Sequence, residues 1–65
     1  MQLIILETKE RRCIIYDKQS NMFFANDCET WTEYKQIANV YINKEIAKIE
    51  VERIKLMAES IKKIF

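Results

Sequence analysis

A chain of 65 residues, 49% hydrophobic and 32% charged with a net charge of +1, makes one small folding unit. That balance argues against disorder, which needs low hydrophobicity and high net charge. It also counts against nucleic-acid binding, where a clear basic excess supplies most of the affinity.

Histidine is absent, so the usual general base is missing, and two cysteines are too few for a disulfide framework. The longest apolar run, Leu3 to Leu6, falls far short of the ~20 residues of a membrane span. The first residues lack the basic region and long apolar core of a secretion signal, so the cytoplasm is the expected compartment.

Residues 2–7 (QLIILE) and 12–17 (RCIIYD) are short, β-branched runs bounded by polar stretches, and read as strands. Residues 21–25, ending in MFFA, make a third. The short connections suit an antiparallel meander. Without glycine, Asn21 is the residue best suited to a left-handed turn conformation.

From about residue 28 the pattern turns helical and runs to about 64. Asp27 or Thr30 is placed to cap the start, and Thr30-Trp31-Thr32-Glu33 fits a capping box. Lys48–Glu52, Lys55–Glu59 and Glu59–Lys63 are spaced for ion pairs along the helix. Trp31, Tyr34, Ile37, Ala38, Tyr41 and Ile42 form one apolar stripe, with the sheet as the expected cover for its aromatic residues.

Ala47, Val51, Ile54, Ala58, Ile61 and Phe65 form a second stripe, spaced as an a/d seam and flanked by Ile46, Ile49, Met57 and Ile64. The two stripes do not join cleanly. The mismatch falls at residues 39–44, which read as a bend, a break, or a solvated stretch of one long helix. The fold class is therefore α+β: a three-stranded antiparallel meander followed by a long C-terminal helix.

In the second strand Cys13 and Ile15 point one way and Ile14 and Tyr16 the other, so both faces are apolar. A straight helix over residues 30–64 would be ~50 Å long, far beyond strands of ~17–20 Å. A homodimer that buries the second sheet face and the seam between chains accounts for both features. The expected dimer interface is Ala47, Val51, Ile54, Ala58, Ile61 and Phe65. The alternative is a monomer with a helical hairpin.

No constellation of residues suggests catalysis, a cofactor or a metal. Ser20 and Ser60 lack an activating partner, and Cys13 reads as a small buried hydrophobe. Cys28 sits near the expected helix start, where a thiolate is favoured, yet the structural role is the commoner one. The expected function is non-catalytic protein binding, through Glu29, Glu33 and Tyr34 together with Lys18 and Asn21 of the neighbouring loop.

The alternative is a dimeric DNA-binding regulator using Lys9, Arg11, Arg12, Lys44 and Lys48. Glu7 and Glu10 dilute the field of that basic cluster. Phe, Tyr, Met, Ile, Asn and Lys account for 32 residues, against 7 of Gly, Ala, Arg and Pro. That bias points to an AT-rich gene, as in a low-GC bacterium or its phages and mobile elements.

Overall fold

The computed structural model describes residues 1–25 and 30–64; the side chains of residues 30 and 60–64 lie outside the description. The chain forms an antiparallel sheet in the order β1 (Leu3–Glu7), β2 (Cys13–Asp17), β3 (Met22–Ala25) and β4 (Thr30–Thr32). A 3-10 turn, Lys35–Ile37, and an extended connection lead to the helix α1 (Lys44–Ile64). The α+β class stands, with four strands in place of three.

The hairpins show how a chain without glycine turns. Thr8 and Arg12 close the first one: the Thr8 N–H donates to the Arg12 carbonyl at 2.7 Å, and the Arg12 N–H donates to Thr8 Oγ1 at 3.1 Å. Arg11 sits between them at φ 60°. Asn21 ends the second turn at φ 59°, and its Oδ1 accepts the Tyr16 hydroxyl at 2.8 Å. The left-handed region expected at Asn21 is thus occupied there. It also falls on Arg11, where an L-residue bears a cost of ~1–2 kcal/mol.

Register sorts the side chains by face. Ile5 pairs with Ile15, and Phe24 with Trp31. Leu3, Ile5, Ile15, Phe24 and Trp31 therefore share one face, and Val51 and Ile54 of α1 close the core upon it, joined by Tyr41. Trp31 meets Phe24 edge-on, with ring centroids 5.5 Å apart.

Ile14 and Ile15 are 1% and 0% exposed, so β2 is sealed on both faces. On the second face Tyr16 stacks on Phe23 at 4.8 Å, while Ile4 and Leu6 are half-buried. That face is less naked than its sequence suggests.

The helical reading of residues 28–43 is corrected. Asp27, Cys28 and Glu29 lie outside the described residues. Thr30–Thr32 is a strand, so no helix starts at Thr30 and the capping box is not formed. Thr-Trp-Thr suits a pleated surface, and pairing with β3 brings Trp31 into the core. Tertiary burial outweighs a local capping signal here.

The stripe of Trp31, Tyr34, Ile37, Ala38, Tyr41 and Ile42 is not one helical face. Trp31 and Tyr41 pack on the core and Ala38 is buried, whereas Tyr34, Ile37 and Ile42 are exposed.

Residues 39–41 fill the gap where β2 and β3 part. Cys13 and Tyr41 exchange backbone hydrogen bonds of 2.9 and 2.7 Å, and the Asn39 N–H donates to the Phe24 carbonyl at 2.9 Å. Asn39 Nδ2 donates to the Tyr41 hydroxyl oxygen at 3.4 Å. Burial raises the Tyr41 pKa above the usual tyrosine value.

The helix starts at Lys44 because Asn43 caps it. Asn43 Oδ1 accepts the Ile46 N–H at 2.9 Å, satisfying one of the orphan donors of the first turn. The segment of weak propensity is thus a boundary. Among the described side chains of α1 the ion pairs are Glu50–Arg53 at 2.7 Å and Glu52–Lys55 at 4.0 Å, in place of the expected Lys48–Glu52 and Lys55–Glu59; the Lys63 side chain of the expected Glu59–Lys63 pair lies outside the description.

Candidate interaction surfaces

Ala47, Val51 and Ile54, expected at a dimer seam, are buried against the chain's own sheet. Ala58 is half-buried, the Ile61 side chain is outside the description, and Phe65 lies outside the described residues. The periodicity was a true sign of burial, but the surface that meets its first half belongs to the same chain.

The surplus apolar surface lies elsewhere on the helix. Ile46, Ile49, Leu56 and Met57 are 42, 70, 62 and 47% exposed. At 100° per residue they share a face turned away from the core positions. Arg53, tied to Glu50, sits among them. Val40 and Ile42, just before the helix, are exposed as well.

The helix is about 32 Å long at 1.5 Å per residue, while a five-residue strand spans about 17 Å. Its C-terminal half therefore runs past the sheet, in keeping with a longest dimension of 40 Å.

A second surface is the β1 edge. β1 and β4 are the outer strands, and β1 is four apolar residues, Leu3 to Leu6, ending in Glu7. The Lys18 N–H donates to the Gln2 carbonyl and the Thr8 N–H to the Arg12 carbonyl. Alternation then directs Gln2, Ile4, Leu6 and Thr8 to β2, and turns the backbone groups of Leu3, Ile5 and Glu7 outward. Beside this edge runs an open groove of about 610 Å³, lined by Leu3, Ile4, Ile5 and Val51 and bordered by Lys44, Lys48 and Glu52.

Four of the five residues expected to bind a partner come to one end of the sheet; Glu29 lies outside the described residues. Lys18 and Asn21 lie in the β2–β3 turn, beside Met22. Thr32 pairs with Phe23, so Glu33 and Tyr34 leave the sheet at that same end. All four are exposed, and the Tyr34 N–H is held by Thr32 Oγ1 at 3.1 Å.

Behind this surface is a buried carboxylate. Asp17 Oδ1 accepts the N–H groups of Gln2 (2.8 Å) and Gln19 (3.1 Å), and Oδ2 accepts the Ser20 hydroxyl at 2.9 Å. The N-terminal ammonium donates to Gln19 Oε1. Burial by itself would raise the Asp17 pKa, but these hydrogen bonds and the nearby ammonium outweigh it and hold the carboxyl below its ordinary value.

Lys9, Arg11 and Arg12 are exposed in the β1–β2 turn, at the other end of the sheet. Lys44 and Lys48 border the groove instead. Among the described residues none of these five cations has an ion-pair partner.

Cys13 is a buried free thiol. No group of three metal-ligating side chains occurs among the described residues, and none of their helices is long and apolar enough to cross a membrane. No protein-family model, curated protein or solved structure matches the chain.

Proposed function

We propose that this chain is a non-catalytic homodimeric module that acts by binding another protein, with α1 supplying the contact face. The supporting observation is the outward stripe of Ile46, Ile49, Leu56 and Met57. Large apolar side chains gathered on one helix face, rimmed by charge, are the usual mark of an interaction site. An amphipathic helix that already buries its other face on a sheet presents such a stripe at little entropic cost.

The end of the sheet carrying Lys18, Asn21, Glu33 and Tyr34 forms a polar flank for the same recognition. A modulator of this kind, encoded by a phage or mobile element of a low-GC bacterium and acting in its cytoplasm, fits the size and codon bias of the chain.

The test is affinity capture from lysate of a low-GC bacterial host, with the wild-type chain beside an Ile49→Glu/Leu56→Glu variant. Both substituted positions are exposed, so circular dichroism should show the fold retained. A protein held by the wild type and released by the variant supports the proposal. An identical captured set from both chains refutes it.

A further inference from the structure

We infer that the two copies join through β1, edge to edge across a two-fold axis at Ile5, making one continuous sheet; this rests on the homodimeric reading above and names its interface. An edge strand left open templates pairing with another chain. Proteins that must avoid this place a lysine, proline or bulge there. β1 has no lysine, proline or bulge and only one charge, Glu7 at its end, and its outward backbone groups belong to Leu3, Ile5 and Glu7.

Self-pairing is favoured over a foreign strand by the register and the charges. An antiparallel pairing centred on Ile5 uses the whole strand: Ile5 meets its own copy, and Leu3 meets Glu7 of the second copy. Each is a hydrogen-bonded pair, because these residues already direct both backbone groups outward.

A two-fold axis perpendicular to the sheet keeps both helices on the same side. Glu7 alternates onto the helix side with Leu3 and Ile5. Its carboxylate is therefore delivered beside Leu3 of the other copy, at the groove whose charged border is Lys44, Lys48 and Glu52; among the described residues neither lysine has an ion-pair partner. Symmetry makes this match twice. The same two-fold axis sets the two helices antiparallel. Both outward stripes of α1 end on one side of the assembly, as a shared contact surface.

A chain of 65 residues is short enough for total synthesis, so the backbone itself can be edited. N-methylation of Ile5 blocks the outward edge and leaves every side chain and the β1–β2 bonds intact. Sedimentation equilibrium at micromolar concentration should give twice the 7.9 kDa chain mass for the wild type and a single chain mass for N-methyl-Ile5. Glu7→Lys should weaken the dimer by roughly tenfold or more, and combining it with Lys44→Glu and Lys48→Glu should restore it.

A dimer that survives N-methylation and the Glu7→Lys change but dissociates on Ile49→Glu overturns the edge assignment and leaves the homodimer standing through α1. A wild-type chain that stays monomeric overturns edge pairing and dimer together, while capture through the helix stripe is scored separately. A monomer that captures a protein only when the β1 edge is unblocked assigns the groove to a foreign strand and also overturns self-pairing.

Discussion

Asp17 is where one polar side chain ties three segments of the chain together. Replacing it with alanine leaves the Gln2 N–H, the Gln19 N–H and the Ser20 hydroxyl without their acceptor. Hydrogen bonds to a charged group contribute ~1.5–3 kcal/mol each, but these donors sit on exposed residues and recover water, so ~1 kcal/mol apiece is the fair figure. Asp17→Ala should then cost about 3 kcal/mol, against a total stability of only ~3–10 for a chain of this length. The melting temperature should fall by roughly 12–24 °C.

Asp17→Asn is the informative control. Its Oδ1 still accepts both backbone N–H groups, so the loss should stay near 1 kcal/mol. The two variants also separate by pH. A carboxyl with a lowered folded pKa contributes stability in full above its unfolded value of 3.8, and loses it as pH falls through the lower folded value. The gap between wild type and Asp17→Asn should therefore be widest near neutrality and close below about pH 4.

Urea unfolding followed by the fluorescence of Trp31, packed edge-on against Phe24, reads these quantities directly. An alanine variant costing under about 0.5 kcal/mol, or a gap that does not change with pH, would refute the reasoning.

Four further outcomes are expected. Asn43→Ala should cost ~1 kcal/mol by removing the cap of α1, seen as a lower urea midpoint. Arg11→Gly should stabilise by up to ~1 kcal/mol, since glycine meets φ 60° without the Cβ clash; a lower melting temperature would contradict this. Ile15→Ala, at a fully buried position of the core, should cost ~2–5 kcal/mol and leave much of the chain unfolded by circular dichroism. Random duplex DNA at about 50 mM salt should show no gel retardation, because Lys9, Arg11 and Arg12 share their turn with Glu10 and the net charge is +1; clear retardation would revive the regulator reading.

Local chemistry determined a good part of this protein. The three N-terminal strands were legible because short apolar runs, rich in β-branched and aromatic residues and set between polar turns, have few other stable outcomes. Asn21 was legible as the left-handed residue, and Ala47, Val51 and Ile54 as a buried helical face, since both follow from backbone sterics and periodicity. Periodicity reports that a face is covered and is silent on what covers it. Only the packed structure decided that these residues meet their own sheet, and that the exposed surplus is Ile46, Ile49, Leu56 and Met57.

The stretch from Thr30 to Asn43 was misread for a related reason. A capping box and an apolar stripe are local signals of about 1 kcal/mol. Closing β4 onto β3 and seating Trp31 and Tyr41 in the core each bring more, through partners distant in sequence. The open edge at β1 was hidden too. Whether a strand is central or outer depends on the order of the whole sheet, and no residue of LIILE encodes that order by itself.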